Sequence, residues 1–221
     1  MADNSDEPVV VLGLGRFGTA LARELVTRGH EVLAVDNDGA VVQALAGQLP
    51  HVVCADTTDP EAMRQLGVGE FRRAVVAIGT NIEASVLTAA LLYDLRVPHI
   101  WAKAVTTAHA TILSRVGAHH VVKPEFEMGE RVAHLISGNL LDYVQVDGDF
   151  AVAKTTPPAR IVGRPLRDSQ VRTRHGVTVV AIRPAATGEF GYATGDTVPA
   201  AGDQVLVIGR TDQVESFAAG D

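Results

Sequence analysis

A glycine-rich stretch between two apolar runs constrains the fold of this 221-residue chain more than any other feature. The run Val9–Leu12 enters the spacing G-x-G-x-x-G, an amphipathic segment follows, and a second run ends at Asp36. This order indicates a β-α-β unit that binds a dinucleotide. In that pattern Gly13 permits a tight turn, Gly15 lets phosphates approach the backbone, and Gly18 lets helix and strand pack closely. The alternative interpretation is a β-α-β unit whose glycines serve packing alone.

The residues around the glycines predict an adenine-nucleotide site. The N–H groups that open the helix face an anion, and Asp36 at the end of the second strand accepts hydrogen bonds from ribose hydroxyls. Arg16 suits a third phosphate or a second nucleotide's phosphates, because backbone N–H groups already satisfy a pyrophosphate; a solvated loop charge is the alternative. The candidate nucleotide-binding residues are Gly13, Gly15, Arg16, Phe17, Gly18, Asp36, Asp38, Asp56, Thr57, Ile78, Gly79 and Lys103.

Composition and charge exclude several classes of protein. The 26 acidic and 19 basic residues leave a net charge of −7, which argues against a nucleic-acid surface. No apolar stretch approaches the roughly 18 residues that span a bilayer, and the acidic N-terminus resembles no targeting peptide. Cys54 is the only cysteine, so the chain has no internal disulfide and no cysteine-cluster zinc site. We therefore expect a cytoplasmic protein.

Alternating apolar runs and helical patterns predict a doubly wound parallel sheet for the first two thirds of the chain. One helix is expected over 82–95, with Ile82, Val86, Ala89 and Tyr93 on one face. A later helix, from Glu125 to about residue 140, has an apolar stripe that we expect to cross over to a second subunit; packing against its own sheet is the alternative. The predicted organisation is a disordered segment 1–7, a Rossmann-like nucleotide-binding domain with crossover helix over 8–140, and a small α+β domain over 141–221.

The chain offers no arrangement that predicts catalysis. No Ser/His/Asp or Cys/His pattern and no H-E-x-x-H zinc motif occurs, and we nominate no catalytic residue. His175 falls on an expected loop. His119 and His120 are adjacent in an apolar strand, so their side chains face opposite sides and do not readily chelate one metal. Glu125 is placed to cap the helix that it opens, or to hold a divalent cation such as Mg²⁺ or Ca²⁺ beside nucleotide phosphates.

Five motifs together resemble the RCK (KTN) domains of Ktr/Trk-type potassium transporters. They are G-L-G-R-F-G at 13–18, the Asp36 strand end, V-A-I-G-T-N-I-E-A-S at 76–85, I-W-A-K-A at 100–104 and K-P-E-x-x-M-G at 123–129. The resemblance covers nearly the whole chain, and the second module is similar to the family's TrkA-C domain. It implies a cytoplasmic regulatory subunit on the inner face of the membrane, in which homodimers form an octameric ring beneath the transporter.

The resemblance also implies roles for individual residues. The N-terminal domains bind ATP or ADP, and the exchange of one for the other changes the ring and gates potassium flux. Arg16 matches an arginine that contacts the terminal phosphate, and Asp36 matches a residue that binds the ribose. Glu125 matches an acidic residue that holds a cation between neighbouring nucleotide sites. Some relatives bind cyclic di-AMP in the region of Leu166 and Arg172. In this chain Arg167 replaces an expected aliphatic residue, which argues against that ligand.

Two other hypotheses remain open at the level of sequence. Asp36 is equally compatible with NAD or NADH, so a small NAD-dependent oxidoreductase fits the fingerprint. A free-standing NAD-sensing redox switch that uses Cys54 is the third hypothesis. Both hypotheses require NAD or NADH as the ligand, and only the redox switch also requires Cys54. Experiment can therefore distinguish them.

Overall fold

The computed structural model describes residues 7–220, and contacts within the chain divide it into two compact units, residues 1–125 and 126–221. The expected disordered segment 1–7 lies outside the described residues except for Glu7. That residue forms ion pairs with Arg72 and Arg73 at 3.5 and 3.3 Å. Within the described part of the chain, no helix combines the length and the apolarity needed to cross a membrane.

The first unit has the expected doubly wound parallel sheet. Its six strands lie in the order β3-β2-β1-β4-β5-β6, and all neighbours are parallel. Strand β1 is central and fully buried, as its unbroken run of Val and Leu predicts. The strands are β1 (Val9–Leu12), β2 (Val32–Asp36), β3 (His51–Cys54), β4 (Arg73–Val76), β5 (His99–Lys103) and β6 (His120–Val122). The helices are α1 (Arg16–Thr27), α2 (Gly39–Leu45), α3 (Pro60–Gln65), α4 (Ile82–Asp94) and α5 (Thr107–Arg115), with a 3₁₀ turn at Val68–Glu70.

Side-chain caps explain where four of these helices begin. Asp38, Asp59, Asn81 and Thr106 precede α2, α3, α4 and α5, and each accepts a hydrogen bond from a backbone N–H of the first turn. Such caps satisfy N–H groups that have no partner inside the helix. Each of these four helices therefore has a start encoded in its own sequence.

The face that α4 buries differs from the expected one. Its buried residues are Ser85, Thr88, Ala89 and Leu92, whereas Ile82 and Tyr93 are 44% and 59% exposed. Apolar residues occur all round this helix, so their periodicity selects no face, and the smaller side chains lie against the sheet. Of the four residues expected to share one face, Ala89 is buried and Val86 packs against the core, whereas Ile82 and Tyr93 are exposed.

The second unit is a small antiparallel sheet with short helices. The strand order is β10-β9-β11-β8-β7, and β7 and β8 form a hairpin across Gly148. Its core includes Tyr143, Ile161, Val177, Val205 and Phe217. The strands are β7 (Leu140–Asp147), β8 (Phe150–Thr155), β9 (Thr178–Arg183), β10 (Gly191–Tyr192) and β11 (Gln204–Arg210). The helices are α6 (Pro124–Ser137), which begins at the boundary, α7 (Leu166–Ser169), α8 (Val171–His175) and α9 (Thr211–Ala219), with a 3₁₀ turn at Ala159–Ile161.

Two features of this unit differ from the sequence-based expectations. His175 ends helix α8 instead of lying on a loop, and Gly176 after it supplies the left-handed conformation that terminates the helix. Most of α6 groups with the second unit, although the pattern placed the domain boundary after residue 140. The reason lies in its side chains: Arg131 pairs with Asp142 at 2.5 Å, and His134 pairs with Glu215 at 2.6 Å.

Candidate functional site

A cleft of about 520 Å³ opens at the carboxyl ends of the strands of the first unit. Ligands of open α/β sheets bind at this edge. Every residue of the candidate set lines it except Gly18: Gly13, Gly15, Arg16, Phe17, Asp36, Asp38, Asp56, Thr57, Ile78, Gly79, Lys103 and Glu125. The sequence interpretation missed eight further wall residues, namely Leu14, Asn37, Val41, Ala77, Thr80, Asn81, Ala84 and Val105. All but Val41, Ala84 and Val105 are chain neighbours of predicted residues or of each other, so the loops they share were the available signal.

The three glycines of the fingerprint serve different purposes. Gly13 has φ +97°, and a Cβ there would lie 2.9 Å from Cγ1 of Ile78. A Cβ at Gly18 would lie 1.9 Å from the carbonyl oxygen of Gly13. These two residues are therefore glycine because of the backbone turn and the close packing of helix on strand.

Gly15 has no such internal reason to be glycine. Its φ of −64° and ψ of −172° are open to any residue, and a Cβ would meet no heavy atom within 4 Å. The space beside it is part of the cleft. A missing side chain at this point lets a ligand approach the backbone, as the phosphate-binding hypothesis requires.

The beginning of α1 differs from that of its neighbours in the same unit. Gly15 is its N-cap residue and provides no side-chain hydrogen bond, and the first turn contains no acidic residue. The first N–H groups of this 12-residue helix therefore point at the cleft without a capping side chain. Together with the helix dipole they form a site for an anion.

Asp36 holds the glycine loop as well as facing the cleft. Its Oδ2 accepts a hydrogen bond from the backbone N–H of Leu14 at 2.5 Å, and its Oδ1 accepts one from Asp38 N–H at 2.9 Å. A carboxylate has about four lone-pair positions, so acceptor capacity remains for hydroxyl groups of a ligand. Asp36 thus links the loop after β1 to the end of β2.

Charged groups meet at the opposite end of the cleft. Nζ of Lys103 lies 2.5 Å from Oε1 of Glu125 and 5.7 Å from the ring centre of Phe17. This hydrogen bond from Lys103 is the main reason why the pKa of Glu125 lies below its usual value; burial opposes the shift, and Arg16 adds a smaller favourable charge. Arg16 is exposed, and its guanidinium has no hydrogen bond to another described residue. The Arg16 guanidinium is therefore available to a ligand. Lys103 can bind a ligand only if it gives up its bond to Glu125 or bonds to both.

Three expectations about metals and histidines can be compared with the structure. Residues 7–220 contain no group of three or more His, Cys, Asp or Glu side chains arranged to hold a metal. Glu125 therefore offers a cation one carboxylate, and water, a bound phosphate or a second copy would supply the further ligands. His119 and His120 have separate partners, because Nδ1 of His119 accepts a hydrogen bond from Ile100 N–H while His120 stacks on Trp101.

The second unit has a cleft of its own, of about 540 Å³, lined by Leu166, Arg167 and Arg172 among others. Arg172 donates a hydrogen bond from Nε to the hydroxyl of Thr178 at 3.1 Å. Arg167, which pairs with Asp196, also lines this cleft. A charged residue thus stands at the position where the resemblance expects an aliphatic one.

The fold is a Rossmann-like unit followed by a small antiparallel unit, and its cleft lies where such folds bind nucleotides. Two family models match the chain: the TrkA-N domain over residues 9–124 and the TrkA-C domain over residues 151–219. The chain belongs to this family of potassium-transport proteins. The resemblance drawn from the sequence motifs is thereby confirmed.

Named relatives agree with this assignment, and a solved structure shares the fold. The chain is 38% identical over 174 residues to Ktr system potassium uptake protein C of Bacillus subtilis, covering 78% of this chain and 79% of the relative. It is 29% identical over 219 residues to Ktr system potassium uptake protein A of Vibrio alginolyticus, covering 95% of each. The GsuK channel bound to NAD has the same fold, with a TM-score of 0.66 and 18% identity over 99% of this chain; the match spans 40% of the channel chain.

Proposed function

We propose that this chain is a cytoplasmic regulatory subunit that binds ATP and ADP and thereby gates a Ktr/Trk-type potassium transporter. The observation that carries the proposal is the combination of Gly15 and the uncapped start of α1 at the cleft. An anionic ligand gives a reason for both, since neither the backbone conformation nor packing requires a glycine at residue 15.

Arg16 supports an ATP-responsive site rather than a simple dinucleotide site. The N–H groups of the first turn suffice for a pyrophosphate, and the free guanidinium of Arg16 suits an additional phosphate. A ligand shifts a conformational equilibrium only by the difference in its affinity for the two states. We infer that Arg16 supplies that difference between ATP and ADP.

Assembly is the second part of the proposal. No residue of α6 is buried among the described residues, and Phe126, Met128, Val132 and Ile136 are exposed by 41 to 82%. Met128, Val132 and Ile136 follow each other at four-residue steps, so they share one face. This exposed stripe of Met128, Val132 and Ile136 supports a homodimer that pairs through α6, as the family resemblance implies. Dimers would build an octameric ring under the transporter, at the inner face of the membrane.

NAD remains the competing ligand, because the fold is shared with a channel that has NAD bound. A ribose carboxylate such as Asp36 accepts NAD as readily as ATP. The corresponding alternative function, an NAD-dependent oxidoreductase, lacks a nominated proton donor. A divalent cation at Glu125 has to share that carboxylate with Lys103, which contacts Oε1, or displace Lys103 from it.

Potassium flux tests the gating proposal directly. The chain is added to vesicles that contain the membrane subunit of the transporter, and flux is compared with ATP and with ADP. We expect the two nucleotides to give different fluxes, and the difference to disappear in Arg16→Ala. Arg28→Ala is the matched control, since Arg28 lies at the other end of α1 and pairs with Glu24 on the surface. Equal flux with both nucleotides in the unmodified protein contradicts the proposal.

A further inference from the structure

A buried hydrogen bond joins the loop after β3 to helix α4. The hydroxyls of Thr57 and Thr88 lie 2.8 Å apart, and the two residues are only 5% and 1% exposed. Thr57 lines the cleft, whereas Thr88 lies behind the wall, one helical turn beyond the wall residue Ala84. A buried hydroxyl that loses its hydrogen-bond partner costs free energy. The Thr57–Thr88 bond therefore holds the loop after β3 against α4.

The strand order indicates which end of a nucleotide this pair would affect. The glycine loop follows the central strand β1, Asp36 follows β2, and Asp56 and Thr57 follow β3 at the edge of the sheet. Phosphates against the α1 N-terminus and a ribose at Asp36 leave the base beside the loop after β3. Thr57 is therefore placed at the base, far from the phosphates.

The other hydrogen bonds of side chains in this loop are local. Oδ1 of Asp56 accepts hydrogen bonds from the backbone N–H and the hydroxyl of Thr58, at 2.9 and 2.8 Å. These bonds, the backbone one first, lower the pKa of Asp56 and fix its rotamer. They do not reach another element. The contact with Thr88 is the side-chain bond that sets the position of the loop against α4, and thus the width of the cleft beside the base.

We propose that Thr88 is a positioning residue for base recognition: it holds Thr57 in the cleft wall without touching the nucleotide. When Thr88 donates its hydroxyl hydrogen to Thr57, the Thr57 hydroxyl keeps its own hydrogen for an acceptor in the cleft. The proposal rests on the proposed nucleotide site and adds a determinant of its selectivity. Ser85 is also buried on this face, and its hydroxyl has no partner among the described residues. This Ser85 hydroxyl is still present, without a partner, when Thr88 is replaced.

Calorimetric titration with ADP and GDP tests this role in four proteins: wild type, Thr88→Val, Thr88→Ala and Thr88→Ser. We expect Thr88→Val and Thr88→Ala to weaken ADP binding about tenfold, because the Thr57 hydroxyl is then no longer held in position beside the base. GDP affinity changes less, so the ADP/GDP ratio falls. Thr88→Ser keeps the hydroxyl and restores both values. Both Thr88→Val and Thr88→Ala are included in case one of them fails to fold. Chemical denaturation of the free protein detects such a failure.

The outcomes separate this inference from the proposed function. A wild-type protein that binds neither nucleotide overturns the proposed function and this inference with it. Wild-type binding together with unchanged ADP affinity in the variants overturns the role of Thr88 alone. Equal losses for ADP and GDP also overturn it, because they indicate a general structural effect rather than a change at the base.

Discussion

Replacing Gly15 by alanine separates ligand binding from folding at the glycine loop. The added methyl group meets no protein atom within 4 Å, and residue 15 already has an extended conformation. Lower unfolded-state entropy favours alanine by about 0.4–1 kcal/mol, whereas alanine is poorer than glycine at an N-cap by a comparable amount, roughly 1 kcal/mol. We therefore expect the free energy of unfolding to change by less than about 1 kcal/mol.

The same methyl group lies where phosphates must approach the backbone. Loss of one hydrogen bond to a charged group is worth about 1.5–3 kcal/mol, which corresponds to a roughly 10- to 100-fold weaker affinity for ATP. Titration calorimetry measures the affinity, and urea unfolding of the free protein measures the stability. A binding loss without a stability loss is the result that the ligand-approach argument predicts.

Gly18→Ala is the matched control, because its Cβ would lie 1.9 Å from the carbonyl oxygen of Gly13. Relief of that overlap requires α1 to move, so we expect a destabilisation of about 1–3 kcal/mol or more. If Gly15→Ala binds ATP as well as wild type, the phosphates do not lie against residue 15. If it is destabilised as strongly as Gly18→Ala, the glycine serves the fold and the argument fails.

Three further predictions follow from individual contacts. Arg16→Ala weakens ATP binding more than ADP binding in a calorimetric comparison, and equal losses exclude Arg16 from discrimination between them. Lys103→Met removes the main cause of the low pKa of Glu125, so NMR titration shows that pKa moving up toward its ordinary value; an unmoved pKa contradicts the pairing. Burial lowers the pKa of His109, whose Nε2 lacks a partner among the described residues, so the folded state resists its protonation. The free energy of unfolding that depends on His109 is full above the unfolded pKa near 6.5 and falls as pH decreases below it, by at most about 1.4 kcal/mol per pH unit. A His109→Leu protein whose stability keeps the same dependence on pH contradicts this prediction.

Local patterns predicted the strands well because burial and turn chemistry act over short stretches. β1 has the bounds that its apolar run indicates, Val9–Leu12. The Asp59 cap and the proline that follows it likewise mark the start of α3. Elements whose pattern was ambiguous were less well predicted, as α4 and α8 show.

The candidate cleft was also largely predictable, since residues that follow parallel strands converge at one edge. What the sequence did not indicate is how those side chains pair. Lys103 and Glu125 are 22 residues apart, as are Leu14 and Asp36, and Thr57 and Thr88 are 31 apart. Such pairs depend on rotamers and on the packing of different elements. No local pattern encodes them.

The nucleotide-gated ring is tested by calorimetric titration of the purified chain with ATP, ADP and NADH, together with light scattering for the size of the assembly. We expect micromolar or tighter binding of ATP and ADP by an oligomer larger than a dimer. Preferential binding of NADH by a dimer, with no detectable affinity for ATP, would contradict it and favour the oxidoreductase hypothesis.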